Sequence, residues 1–300
     1  MTRDAVVVTL TANRSRLSDF LALTKPRLNS LTVATAGVGY FLGADAPIDL
    51  VVALHVLVGS GLVAGGAAAL NQVAERDIDK AMTRTSHRPM PMGRVTPSEG
   101  RLFATTLSAL GLIELALGAN TVAAIVAAVT LVSYVAIYTP LKRRTAWATI
   151  VGAVPGALPP VIGWTAARDA LTVEAWVLFG IVFLWQLPHF HALSWLYRDD
   201  FRKALLPLLA VQDTDGRRTA QHAVFFAVAL VPTSLAPAFV GLASTTHLIV
   251  AGALGVGFVM LALRFAEART DSRARALFVG SLIYLPLLWG SLIVARLVQL

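Results

Sequence analysis

Nine predominantly apolar stretches recur along this 300-residue chain, each close to the length that a bilayer requires of a helix. They fall at Leu28–Gly43, Leu50–Leu70, Leu102–Gly118, Thr121–Tyr138, Ala148–Ala166, Val173–Trp195, His222–Leu242, His247–Phe265 and Ala276–Val294. A spanning segment must satisfy its backbone polar groups without water. These runs lack the alternation of barrel strands, so helices are the structure that fits. The expected fold is therefore an all-α integral membrane protein with nine transmembrane helices. Charged residues make up 14% of the chain and hydrophobic residues 56%, which excludes a soluble globular enzyme and a disordered chain alike. The absence of cysteine excludes disulfides, thiolate-held zinc, iron–sulfur clusters and thiolate catalysis. Residues 1–27 read as a cytoplasmic tail, because Ala5–Leu10 is too short for a signal-peptide core. Residues 28–300 read as one transmembrane domain.

The distribution of charge orients the spans. Of the 25 Lys and Arg residues, all but Arg168 and Arg296 fall on the tail or on alternate loops. By the positive-inside rule the N-terminus is cytoplasmic and the C-terminus is outside. Basic residues scattered over short loops speak for anionic lipid and topology, not for nucleic acid. The two longest connections, residues 71–101 and 196–221, both lie on the inner face, where long loops carry function.

The first of these loops opens on Asn71-Gln72-Val73-Ala74-Glu75-Arg76-Asp77-Ile78-Asp79. Asn71, Glu75 and Asp79 are spaced i, i+4, i+8, which lines three oxygen-bearing side chains along one helix face and leaves Asp77 off it. Such oxygens suit a hard cation, and Mg²⁺ typically takes one or two carboxylates together with substrate phosphates. A solvated helix end is the plainer reading, but acidic groups continuing out of an apolar span are functional by default. Arg84 and Arg88 follow in an irregular segment, Pro89 holding Arg88 out of helical geometry, and their planar guanidinium forks suit diphosphate oxygens.

The second long loop carries Asp199 and Asp200 at the same membrane boundary, where a second cation would be held. Pro188 is expected to break the sixth span just before His189, with His189 and His191 as candidate ligand contacts. Lys142, Arg143 and Arg144 form a third inner-face cluster, either a topology signal or counter-charge for an anionic substrate. Gly152, Pro155, Gly156, Pro159, Pro160 and Gly163 make the fifth span a bent helix lining a cavity. Glu114 and His55 have no assigned role. Together these residues describe a site for a molecule with a diphosphate head and a long apolar tail. Cations would stabilise the departing diphosphate, and a dry cavity would shield an allylic cation.

Four segments carry a resemblance over roughly residues 20 to 290. They are Leu23–Arg27; Asn71–Asp79 with Met82 and Arg84–Pro89; Tyr138–Arg143 with Pro159-Pro160 and Gly163-Trp164; and Trp185–Phe190. The chain resembles the UbiA superfamily of intramembrane prenyltransferases, and within it the branch that farnesylates heme. The resemblance implies a helical bundle around a central cavity and Mg²⁺ as the metal. It implies transfer of farnesyl from farnesyl diphosphate to a vinyl group of heme B, with water added, giving heme O. Asn71, Glu75 and Asp79 match the first motif and are the expected catalytic and metal residues, with Asp199 and Asp200 as further metal ligands. The second motif departs from the superfamily's Asp-x-x-x-Asp, having two adjacent aspartates. Lys25, Arg27, Arg84, Arg88, Lys142 and Arg143 are the implied diphosphate contacts; His189, His191 and Trp185 are the implied heme contacts. A cell-membrane location follows, as does hand-on of product to a heme A-forming enzyme or to oxidase assembly. The competing readings are prenylation of a quinone-precursor aromatic acid and a non-enzymatic carrier of heme or lipid. Pro188-His189-Phe190 counts against the aromatic acid, and paired acidic clusters on one face count against a carrier.

Overall fold

The structure, a computed structural model, describes residues 15–299; residues 1–14, with Arg3 and Arg14 of the expected tail, lie outside it, as does residue 300. Among the described residues the regular secondary structure is all helical. They form α1 (Arg16–Leu23), α2 (Pro26–Gly43), α3 (Leu50–Ala74), α4 (Arg76–Ala81), α5 (Pro97–Gly118), α6 (Thr121–Val132) and the single turn α7 (Thr139–Leu141). There follow α8 (Ala148–Ala157), α9 (Pro159–Arg168), α10 (Val173–Leu196), α11 (Arg198–Lys203), α12 (Leu209–Gln212), α13 (Arg217–Phe239), α14 (Thr245–Ala268) and α15 (Asp271–Gln299). A π-helical segment, Ser133–Tyr138, joins α6 to α7.

Among the described residues, eight helical stretches are long and apolar enough to cross a membrane: α3, α5, Thr121–Leu141, Ala148–Arg168, α10, α13, α14 and α15. The remaining expected span corresponds to α2, which has 18 residues and is less apolar. Its Asn29, Thr32 and Thr35 line a cavity, and this is where its polarity is used. The helix nonetheless connects the two ends of the bundle. Lys25 before it meets Asn71 at the foot of α3, and the Tyr40 hydroxyl near its other end donates to the Asp49 carbonyl at the head of α3.

Neighbouring helices close a ring that runs α2, α3, α5, α6, α8 and α9, α10, α13, α14 and α15, and then back to α2. In lipid, helices associate through close packing more than through hydrophobic burial, and small residues allow it. A side chain on Gly163 of α9 would run into the Ala36 carbonyl of α2, and one on Gly39 into the Pro160 carbonyl, so these backbones touch. The fifth span is interrupted where its prolines cluster: Leu158 alone separates its two helical halves and keeps near-helical backbone angles (φ −78°, ψ −21°). The helix stops at Ala157 and restarts at Pro159, a favourable first position because proline has no N–H to satisfy there. Pro159 through Ala166 are all buried, so α9 plugs one half of the bundle and leaves the cavity in the other.

The expected break at Pro188 is not present: α10 runs through it uninterrupted from Val173 to Leu196. Pro155, Pro232, Pro237 and Pro286 likewise sit inside helices. Membrane helices tolerate proline because neighbouring helices and small local adjustments re-satisfy the carbonyl it frees, so one missing backbone hydrogen bond does not end the helix.

Part of the expected tail is docked to the bundle. Buried Asp19 of α1 accepts from Arg94 at 3.0 Å, Arg16 pairs with Glu99, and Leu23 packs in a core with Ala69, Met90, Val95 and Ala104. At the opposite end of the bundle, Arg168 and Arg296 converge on Asp45, at 2.9 and 3.8 Å. These are the two basic residues that the charge pattern assigned to the outer side. Glu114 and His55 also find a role as a pair, 2.8 Å apart, joining α5 to α3.

Candidate active site

The acidic motif straddles a helix break and keeps its face. α3 ends at Ala74, Glu75 adopts φ −99° and ψ 11°, and α4 starts at Arg76. The i→i−4 ladder still carries across: Glu75 N–H donates to the Asn71 carbonyl at 2.9 Å, and Asp79 N–H to the Glu75 carbonyl at 2.8 Å. Asn71, Glu75 and Asp79 therefore stay on one buried side, while Asp77 is exposed beside Arg76. A second copy of this geometry closes α10, where Tyr197 (φ −109°, ψ 19°) leads into the equally short α11.

Each motif residue is met by a cation or hydroxyl from another part of the chain. Lys25 Nζ donates to Asn71 Oδ1 at 3.1 Å, Lys142 Nζ to Glu75 Oε2 at 3.1 Å, and Arg88 Nη1 to Asp79 Oδ2 at 2.7 Å. Asn71 Nδ2 donates to Thr139 Oγ1 at 3.3 Å. The loop bearing Arg88 is anchored by buried Met82 and Met90 and by the Thr85 hydroxyl, which donates to the Asp79 carbonyl. Arg94 takes no part in the site; its bond to Asp19 is a strut for that loop.

Lys25 is a constrained residue. It sits at φ 47° and ψ 57°, a left-handed conformation that costs a non-glycine residue on the order of 1–3 kcal/mol and that clusters at functional sites. Burial, and after it the Arg88 guanidinium, push its ammonium down to about 8.

Glu75 Oε1 is buried and has no hydrogen-bond partner. Among the described residues no three His, Asp or Glu side chains converge closely enough to hold an ion by themselves. The donor set is thus oxygen-rich but incomplete: one free carboxylate oxygen, a second carboxylate and an amide, all beside cations. A hard divalent ion with phosphate oxygens completes such a set.

The other predicted contacts separate. Asp199 is exposed and bound to Arg202 within its own helix at 2.5 Å. Asp200 turns inward and accepts from the backbone N–H of Arg84 at 3.3 Å. Burial would raise the Asp200 carboxyl, but hydrogen bonds from Thr83 and Arg84 outweigh it and hold it below the usual range. Arg84 itself is exposed, with its guanidinium 5.4 Å from the Tyr197 ring centre. Arg27 is exposed, and Arg143 is exposed along a separate hollow with Ala74, Val135 and Arg144. Of the six predicted diphosphate contacts, Lys25, Arg88 and Lys142 are the three on the acidic motif.

A cavity of about 420 Å³ opens from Lys25 into the bundle. Its walls include Asn29, Thr35, Tyr134, Tyr138, Trp185 and His189. Tyr134 and Tyr138 stand on the π-helical segment with ring centres 5.4 Å apart; π-helical turns recur at functional sites. No sequence signal marks that segment, whereas Asn29, Thr32 and Thr35, three residues apart on one helix face, do form a readable polar stripe. His189 borders the cavity. His191 does not: it is buried against His222 and Phe226 of α13, because residues two apart on a helix point about 200° apart.

A ring of helices around an apolar cavity, with paired acids and bases at its mouth, defines an intramembrane transferase of diphosphate-headed lipids. Residues 32–291 match the UbiA prenyltransferase family, and the chain belongs to that family. Among its relatives are the protoheme IX farnesyltransferases of Solibacter usitatus and Opitutus terrae. The first is 45% identical, the match covering 93% of this chain and 99% of the relative. The second is 41% identical, covering 96% and 98%. Solved structures share the fold. Digeranylgeranylglyceryl phosphate synthase superposes with TM-score 0.80 at 18% identity, covering 95% of this chain and 99% of that one. A UbiA homologue from Archaeoglobus fulgidus, bound to GPP and Mg²⁺, superposes with TM-score 0.66 at 15% identity, covering 91% and 99%.

Proposed function

We propose that the chain transfers the farnesyl group of farnesyl diphosphate to a vinyl group of heme B, with addition of water, giving heme O and diphosphate. The near-full-length relatives at 36–45% identity are named protoheme IX farnesyltransferase, which supports farnesyl transfer to heme. The single structural observation that carries it is the alternation of Lys25, Arg88 and Lys142 with Asn71, Glu75 and Asp79 at the mouth of an apolar cavity.

The residues divide the work as follows. Asn71, Glu75 and Asp79 would hold Mg²⁺, with Asp200 closing the site from the second loop; the unpartnered Glu75 Oε1 is the oxygen left free for it. When bound, the ion would neutralise negative charge on the diphosphate as the C–O bond to the prenyl carbon breaks. Lys25, Arg88 and Lys142 would exchange their present carboxylate and amide partners for diphosphate oxygens and stabilise the leaving group where its charge develops. The cavity walls keep bulk water from the allylic cation until the vinyl π electrons attack it. The new C–C bond leaves a cation next to the porphyrin ring. A water oxygen adds there and loses a proton, which restores neutrality and leaves a hydroxyl. Trp185 and His189 line the cavity where the porphyrin would lie.

With α2 counted, nine helices would cross the bilayer, the N-terminus cytoplasmic and the acidic corner on the cytoplasmic side of the cell membrane. Hand-on of a heme product would place the chain beside the next heme-modifying enzyme or oxidase assembly factors.

The test is purified protein in lipid with heme B, farnesyl diphosphate and Mg²⁺, followed by mass spectrometry of the porphyrin. The proposal expects a heme heavier by farnesyl plus water, absent with Asp79→Ala. Unmodified heme from an active membrane preparation would overturn it.

A further inference from the structure

The geometry points to His189 Nε2 as the axial ligand of the iron of the heme substrate, held ready by Ser281. This rests on the reading that heme is the acceptor, and it assigns the pose of that acceptor in the cavity. His189 lies on the cavity wall on α10, and its ring is fixed on three sides. The Trp185 ring, one turn earlier on the same helix, stacks on it at 5.2 Å and 25°. Phe278 of α15 lies against it at 4.8 Å. The third constraint is a hydrogen bond of 2.7 Å between His189 Nδ1 and Ser281 Oγ.

That hydrogen bond also sets the tautomer. The Ser281 hydroxyl donates to the Phe278 carbonyl at 2.5 Å, so its single proton is committed. Ser281 Oγ therefore accepts, and His189 Nδ1 carries the hydrogen. Nε2 then holds a free lone pair, and it has no hydrogen-bond partner among the described residues. A neutral imidazole with one nitrogen hydrogen-bonded to the protein and the other free is the form that ligates metals, and the hydrogen-bonded partner orients the ring and raises its basicity. Ser281 is wholly buried and its carbonyl also accepts from Trp185 Nε1 at 2.8 Å, so one residue of α15 positions both aromatic groups of α10.

Placement favours the same role. His189 is seven residues before the end of α10, about 10 Å above the boundary where the acids and bases gather. Iron held at that height keeps a macrocycle in the apolar half of the site, above the diphosphate corner. His191 and His222, packed on each other on the far side of α10, do not border the cavity.

The experiment uses full-length protein in lipid nanodiscs titrated with ferric heme B in the absence of farnesyl diphosphate, read by absorption and electron paramagnetic resonance. Wild type should show a nitrogen-ligated iron signature. His189→Ala should lose it and regain it on addition of free imidazole, which also shows that the variant has kept its fold. Ser281→Ala should weaken heme binding by about 10- to 100-fold. Metal-free protoporphyrin should bind wild type and His189→Ala equally, and His222→Ala should keep the wild-type spectrum. An unchanged iron signature in His189→Ala, or its loss in His222→Ala instead, would overturn the assignment. If wild type then still farnesylates heme, the acceptor reading stands and only the ligand is wrong. If wild type neither binds nor farnesylates heme, both fall.

Discussion

Removing Lys142 should cost the fold more than it would cost an exposed pair, and the cost should be recoverable without recovering activity. The Glu75 side chain is 4% exposed and that of Lys142 13%, with Nζ 3.1 Å from Oε2. Lys142 is the hydrogen-bond partner of one Glu75 oxygen, and the other has none. Lys142→Met leaves a buried carboxylate with neither oxygen compensated, a defect worth about 3–5 kcal/mol. Adding Glu75→Gln removes the stranded charge, and a buried pair replaced by neutral groups of similar volume is often close to neutral. The double variant should therefore regain most of the lost stability, while both variants lack the groups that hold the diphosphate and stay inactive. Mg²⁺ with a non-hydrolysable diphosphate analogue should stabilise wild type, by about 2.7 kcal/mol at a hundredfold excess over Kd. The double variant should gain much less. The assay is unfolding in mixed micelles, followed by helicity and by proteolysis, with diphosphate release measured in parallel. The reasoning is refuted if Lys142→Met stays within about 0.5 kcal/mol of wild type, as an ordinary surface change does. It is also refuted if the double variant is no more stable than the single.

Three further outcomes follow. Asp200→Ala should abolish most farnesyl transfer, while Asp199→Ala, which removes only an exposed pair with Arg202, should keep near wild-type turnover in the same assay. Gly163→Ala should destabilise the bundle by at least about 1–3 kcal/mol, because the new methyl meets the Ala36 carbonyl, and thermal unfolding reads this directly. Chelation of divalent ions should stop diphosphate release and Mg²⁺ should restore it, with heme binding through the cavity unaffected when measured by absorption.

The acidic face was legible because its i, i+4 spacing survives the break at Glu75, where the hydrogen-bond ladder continues. The interruption at Leu158 was legible because two successive prolines cannot donate backbone hydrogen bonds into the preceding turn. Pro188 carries the same local signal without a break, since what surrounds it decides the outcome and that is tertiary information. The choice of Lys25, Arg88 and Lys142 from six basic candidates was not legible either: each sits 9 to 67 residues from its partner, and adjacent Arg143 points elsewhere. The pairing of His189 with His191 needed only helix geometry to refuse it. The π-helical turn that places Tyr134 and Tyr138 has no counterpart in residue pattern.

The most direct measurement is a competition for one pool of farnesyl diphosphate. Purified protein in lipid would receive Mg²⁺, heme B and a quinone-precursor aromatic acid together, and all products would be weighed by mass spectrometry in ordinary and ¹⁸O-labelled water. The account predicts a single prenylated product, heme carrying farnesyl and one oxygen drawn from the water. Prenylation of the aromatic acid, or of neither acceptor, would contradict it.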